Sequence, residues 1–286
     1  MSFNANDSWT VLTPIEQSIK TKIETIGIPL KEWDVCINYG IKTGFNDAFI
    51  ISGEKKDELI ASDPKSAEII RPILRGRDIK RYDVQYADLW LINMHNGLKN
   101  SEIQPLDIND YPAIKEHLDI FYDRLAKRAD KGVTPYNLRN CAYMNDFSQQ
   151  KIMYNDICQR LSFSLVPENV FCVNTVYFIK NNKHLLYLLG CLNSNLIDWY
   201  YRTLSVQLGN KAVRMFSIYV ENIPIPKLSE VQENIIVELI NKLLMTKDLE
   251  LRNEIDSKLE NIILDLYQLN DNEKKYIKSK YNRTIH

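Results

Sequence analysis

The sequence predicts a mixed α/β (α+β) fold: a mixed or antiparallel sheet with helices, followed by a C-terminal helical hairpin. Three features lead there. These are a strongly signalled opening helix, a mid-chain set of short β-branched and aromatic runs, and a tail of two amphipathic stripes. Thr13-Pro14-Ile15-Glu16 is a capping box with proline at the first helical position. Ile15, Ile19, Ile23 and Ile26 form one apolar face, and Gly27 ends it. Residues 33–52 read as strand, glycine-bearing turn and strand, with Ala48–Ile51 a buried run. A short helix should start at Pro64 behind Asp63 and end near Pro72, and residues 88–94 read as a strand. Pro112 opens a longer helix with Ile114, Leu118, Phe121, Tyr122 and Leu125 on one face, closed by Gly132.

The β-rich runs are 151–157, 162–166 and 170–179. Leu185, Leu188, Leu189, Leu192, Leu196, Trp199 and Tyr200 then make a wide stripe expected of a core helix. Pro224 and Pro226 break the chain, and Ser229-Glu-Val-Gln232 is a second capping box. Ile235, Ile236, Leu239, Ile240 and Leu243, then Ile255, Leu259, Ile262, Ile263 and Leu266, form two helical stripes. The resulting division is a main domain over 1–227 and a helical region over 228–286, which packs on the core or on a partner.

Composition narrows the function. The 286 residues are 45% hydrophobic and 26% charged, an ordinary globular balance. No apolar run is long enough for a membrane span and no secretory leader is visible, so a cytoplasmic location is expected. Five cysteines form no Cys-x-x-Cys pair, and four histidines show no ligand spacing, which argues against a metal. No dinucleotide or nucleotide-phosphate loop occurs, nor a nucleophile elbow. Thr134-Pro135-Tyr136 lacks the second proline of an amino-methyltransferase turn, and Glu273-Lys274-Lys275 is a common string on charged helices.

Net charge is −1, but its distribution is uneven. Residues 71–81 hold five basic residues and one acid, while 131–145 and 199–220 hold Lys and Arg with no acid. Such segments are either solvated surface or sites for phosphates and base edges.

Several strings resemble one known family. Gly40-Ile-Lys-Thr-Gly-Phe-Asn-Asp-Ala-Phe-Ile-Ile51 and Ile70-Arg-Pro-Ile-Leu-Arg-Gly-Arg-Asp-Ile-Lys-Arg-Tyr82 are similar to signatures of the TaqI-like C-terminal specificity domain. So are Tyr111–Leu118, Thr134–Tyr143, Leu192–Leu196 and Ile223–Pro226, with Asp47 standing where the family usually has Glu. That domain ends the fused Type IIG restriction–methyltransferases and the related phage-exclusion methyltransferases. The resemblance implies a target recognition domain for double-stranded DNA in a restriction–modification system. It implies no catalytic site and no cofactor in this chain, with S-adenosylmethionine and adenine-N6 methylation belonging to a methyltransferase or endonuclease region outside it. A fragment of a longer chain and a free-standing specificity subunit both fit; the rivals are a complete small enzyme and an assembly scaffold built on 229–267.

Candidate DNA contacts follow from the basic and amide residues of these segments. They are Lys42, Arg75, Arg77, Lys80, Arg81, Asn137, Arg139, Gln159, Arg160, Gln207, Asn210, Lys211 and Arg214. Family members read different sequences, so base readout should lie outside the shared motifs. That favours 205–214 and the 157–169 loop, and leaves Arg75–Arg81 for scaffold or phosphate.

Overall fold

Thr13 caps the first helix as its neighbours predict. Its hydroxyl accepts the Glu16 N–H, the Glu16 carboxylate takes the Thr13 N–H at 2.8 Å, and the helix runs Pro14–Ile26. The computed structural model describes residues 12–98, 103–205, 207–208 and 212–281. The chain forms two units. One comprises Met1–Val35, Cys158–Leu161 and Lys183–His286; the other, Cys36–Ile157 and Ser162–Asn182, is inserted within it. The sequence boundary at 227/228 therefore falls inside the first unit.

The first unit is mostly helical. Strand Gly27–Pro29 pairs antiparallel with Pro224–Pro226, so those two prolines extend a ladder instead of breaking the chain. The hydroxyls of buried Tyr187 and Tyr267 each donate 2.6 Å hydrogen bonds to the carbonyls of Pro226 and Pro224. These bonds satisfy groups that a two-stranded ladder leaves open. The wide stripe at 185–200 is two helices, Leu185–Leu192 and Asn195–Leu204, because Ser194 caps the second at the Ile197 N–H.

The predicted hairpin forms as Glu230–Met245 and Leu249–Leu266, with Ile236, Leu239, Ile240, Leu243, Ile255, Leu259 and Ile263 buried. A third helix, Asp271–Lys280, was not read from the sequence although Asn270 and Glu273 form a capping box. Buried Glu273 accepts from Lys22 at 2.6 Å and Ser18 at 2.7 Å, so the Glu273-Lys274-Lys275 string is structural. Met245, Leu249 and Leu251, around the turn between the two hairpin helices, stay exposed.

The second unit holds two four-stranded sheets. The antiparallel one is ordered Phe163–Val166, Lys151–Asn155, Val176–Lys180, Cys36–Tyr39. Phe163, Tyr154, Tyr177 and Tyr39 lie directly opposite one another, making one aromatic row across all four strands. Neighbouring rings in this row are 5.3–6.5 Å apart. The mixed sheet is ordered Phe171–Cys172, Ile70–Leu74, Leu89–Ile92, Ile50–Ser52, its first pair parallel.

Here the structure corrects three readings. The Ala48–Ile51 run is a helical turn, Asn46–Phe49, leading into a strand, and the helix Gly53–Ser62 follows behind a Ser52 cap. The Pro64 element stops at Glu68 as a 3₁₀ turn. Pro72 then sits inside a strand, at a position beyond the rungs made with Phe171–Cys172, where its missing N–H leaves no gap in the ladder. The helix from Pro112 breaks after Asp119 and resumes at Tyr122, which turns Phe121 onto the rings of Phe45 and His117.

Lys151 is fully buried, an uncommon place for an ammonium. Its Nζ donates to the carbonyls of Phe147 (2.9 Å), Gln149 (2.8 Å) and Pro167 (3.2 Å), stapling the start of a central strand to two loops. Burial pushes its pKa down to about 8. In the window between that value and the ordinary lysine range, the unfolded chain binds more protons than the folded one. Stability contributed at this site therefore rises with pH above about 8. Lys151→Met should lower unfolding free energy by roughly 2–4 kcal/mol, through three carbonyls left without a donor. Urea titrations at pH 7, 8.5 and 10 should also show that the variant lacks the wild-type rise.

Candidate nucleic-acid interface

The residues that carry the sequence motifs are largely scaffold, and they set where the exposed cations stand. Gly40 lies where a Cβ would come within 2.1 Å of the Cys172 carbonyl oxygen, and Gly44 has a φ of +71°. Between them Thr43 is buried, its hydroxyl donating to Asn46 Oδ1 at 2.5 Å. The Thr43 carbonyl accepts from buried Arg128, whose guanidinium also reaches the Pro135 (3.0 Å) and Asn137 (2.5 Å) carbonyls and lies over the Phe49 ring. Burial lowers the Arg128 pKa to about 10.

Asn137, expected at a base edge, is 1% exposed. Its amide donates to the carbonyls of Leu106 (2.9 Å) and His95 (3.4 Å), and its Oδ1 accepts from Thr134 (2.6 Å). Asn137 is thus corrected from a DNA contact to the clasp of the 134–138 turn.

Outside this scaffold the structure brings Lys42 and Arg139 together on one acid. Asp130 receives Lys42 at 2.8 Å and Arg139 at 3.2 Å, and the Lys42 hydrogen bond leads in holding its carboxyl below the usual range.

The second basic group is a clamped hairpin. Arg75 grips Asp78 with two side-chain bonds, 3.0 and 2.9 Å, and its backbone N–H adds a third at 2.8 Å. Burial works against the charge of Asp78, yet these bonds keep its pKa below the usual carboxylate value. Arg75 is therefore committed to the turn. Strands Ile79–Lys80 and Asp83–Val84 follow, with Tyr82 between them in left-handed backbone and Arg81 over its ring. The hairpin is fixed to strand Phe163–Val166. The Ser164 hydroxyl donates to the Lys80 and Asp83 carbonyls, and the Tyr82 N–H donates to Phe163 O at 3.0 Å. Arg77 and Lys80 are exposed on this rigid support.

The third group lies in the first unit. Asp198, fully buried in helix Asn195–Leu204, pairs with Arg202 at 2.9 Å and Arg160 at 3.8 Å. Arg202 also donates to the carbonyl of Gln159, whose side chain is exposed, and Arg160 lies 4.3 Å from the Tyr281 ring centre. The Tyr201 hydroxyl donates to the Arg214 carbonyl at 2.7 Å, and the Arg214 guanidinium lies over Phe216. Strand Gln207–Leu208 pairs with Ala212–Arg214. Asn210 and Lys211 lie outside the described residues. The two segments favoured for readout thus share an anchor in one helix. Asp198 and Arg202 were missed as site residues, although their i,i+4 spacing on a helix was available.

Among the described residues no His, Cys, Asp and Glu cluster could hold a metal, and no helix is long and apolar enough to cross a membrane. The arrangement offers exposed cations on rigid supports and an exposed amide, the chemistry of phosphate contact and base-edge reading.

A family model described as the TaqI-like C-terminal specificity domain matches residues 71–225. Two solved structures share the fold. The Type IIL restriction–modification enzyme MmeI in complex with DNA aligns with a TM-score of 0.57 and 19% identity, over 88% of this chain and 32% of its own. The Type IIG restriction endonuclease BpuSI aligns with a TM-score of 0.51 and 15% identity, over 89% of this chain and 33% of its own. The chain spans about a third of the length of these enzymes.

Two substitutions separate scaffold from surface. Asn137→Ala should reduce unfolding free energy by about 1–3 kcal/mol, since two carbonyls and a hydroxyl lose a buried partner. Lys42→Ala removes half of an exposed pair and should stay within about 0.5 kcal/mol of wild type. Chemical denaturation of the two variants measures both.

Proposed function

This chain belongs to the TaqI-like C-terminal specificity domain family, and from that premise we propose that it is the part of a restriction–modification enzyme that selects the DNA sequence. The observation that carries the reading is the family match itself, which spans the basic hairpin, Gln159–Arg160 and Arg214. In this reading Arg77, Lys80 and Arg81 meet phosphates. Lys42 and Arg139 do the same from either side of Asp130. Gln159, Gln207, Asn210, Lys211 and Arg214 are the candidates for base readout, where Gln or Asn suits adenine and Arg suits guanine.

Methyl transfer to adenine N6 from S-adenosylmethionine, and any DNA cleavage, belong to a catalytic region outside these residues. DNA and that catalytic region are the two partners, inside the bacterial cytoplasm and in the service of restriction or phage defence. The exposed Met245, Leu249 and Leu251 favour a second reading, in which the chain is chiefly an assembly subunit.

Binding to random duplex DNA by mobility shift separates the two readings. The recognition reading expects salt-dependent binding, and an assembly subunit shows none. Lys80→Ala should weaken all sequences evenly and lower the magnitude of the log–log salt slope by about 1. Gln207→Ala, Asn210→Ala and Arg214→Ala combined should change the motif selected from random duplexes, each lost pair giving up ~1–3 kcal/mol of discrimination. An unchanged motif would move readout to the 157–169 loop. Calorimetric titration of the chain with S-adenosylmethionine should give no saturable heat; a signal with one site per chain would contradict the assignment of the cofactor to the catalytic region.

A further inference from the structure

Asp198 belongs to no sequence motif, yet both candidate readout segments hang from the helix that carries it. It has no solvent exposure, and a carboxylate there is tolerated only when paired and hydrogen-bonded. The pairing is asymmetric in a telling way. Arg202, one turn along the same helix, places one arm of its guanidinium on Asp198 and another on the backbone carbonyl of Gln159. Arg160, from the neighbouring segment, approaches the second carboxylate oxygen at 3.8 Å. One turn of the same helix also holds Arg214, through the Tyr201 hydroxyl. A buried pair that served only the helix would end on the helix. This one ends on main chain beside an exposed amide.

We propose that Asp198 is a positioning residue for DNA sequence readout: by orienting Arg202 and Arg160 it fixes the main chain at Gln159, so that the Gln159 amide and the Arg214 segment are presented from one rigid helix end. This rests on the DNA-recognition reading above. Bidentate base contacts tolerate little misplacement, so a loosened carbonyl at Gln159 degrades discrimination before it degrades binding. The phosphate-facing cations of the inserted unit do not depend on Asp198, and the electrostatic part of affinity should survive its loss.

The test compares wild-type chain, Asp198→Asn and Arg202→Lys in selection from random duplexes, in salt-dependent binding to one fixed non-specific duplex, and in thermal melting. Arg202→Lys keeps a cation beside Asp198 but lacks the planar fork that spans both partners. It guards against an Asp198→Asn chain that fails to fold. The proposal expects both variants to flatten preference at one or two base positions, on the order of tenfold each, with the salt slope unchanged. Arg202→Lys should do so with melting close to wild type. Wild-type position weights in both variants, or an even loss across all sequences that tracks lost thermal stability, would make Asp198 merely structural and overturn the proposal. If wild type selects no motif while still binding the non-specific duplex, readout itself is absent and this proposal fails with it. If wild type binds neither, the fault lies with the DNA-recognition reading.

Discussion

One buried guanidinium holds the inserted unit's motif loops in place. Arg128 reaches three backbone carbonyls from two loops, Thr43 on one side and Pro135 and Asn137 on the other, and rests on the face of Phe49. Thr43, Pro135 and Asn137 all lie outside the sheet strands, and a buried carbonyl without a donor is destabilising. The fork geometry of arginine lets one side chain serve all three, which a lysine ammonium on a flexible stem does less well. Lys42, Asp130 and Arg139 stand on these same loops, so the geometry of that surface pair depends on the cage beneath it.

Charge in this protein is arranged by local pairing more than by sum. The net charge is −1, and several candidate cations are tethered to an acid: Arg75 to Asp78, Lys42 and Arg139 to Asp130, and Arg160 to Asp198, which Arg202 shares. Tethering has two effects. It lowers the field available to attract a polyanion from a distance, and it fixes where each donor points at close range. Arg77 and Lys80 stand exposed on a clamped hairpin.

How much of this was legible in the sequence depended on distance along the chain. Capping boxes at Thr13 and Ser229 are complete within four residues and located their helices correctly. Ser194 is a lone cap with Ile197 where a capping box needs Glu or Gln, and it sits inside a strong apolar stripe that dominates the reading. Most strands of the antiparallel sheet and Leu89–Ile92 of the mixed one were visible as β runs, but Ile70–Leu74 fell partly in a segment read as helix, and strand order, set by partners far apart in the chain, was not visible. For Asn137 residue type misled: an amide that suits an adenine edge suits two carbonyls equally well, and only burial separates the two. Asp198 offered one local signal, an arginine four residues along the same helix, while its pairing with Arg160 spans a longer stretch of chain.

The first and last strands of the inserted unit pair antiparallel, with Cys36 facing Lys180. The two ends of the unit are therefore neighbours in space, and most of what lies between them can change without stretching the surrounding chain. An exchange of the block between positions 36 and 180 would carry the exposed cations Lys42, Arg77, Lys80 and Arg139 together. The exchange is not clean, however. Cys158–Leu161 travels inside that block yet folds with the other unit, carrying Gln159 and Arg160 to the Asp198 anchor. An exchanged block thus brings its own Arg160 to the resident Asp198, so compatible exchanges are those in which the two already match.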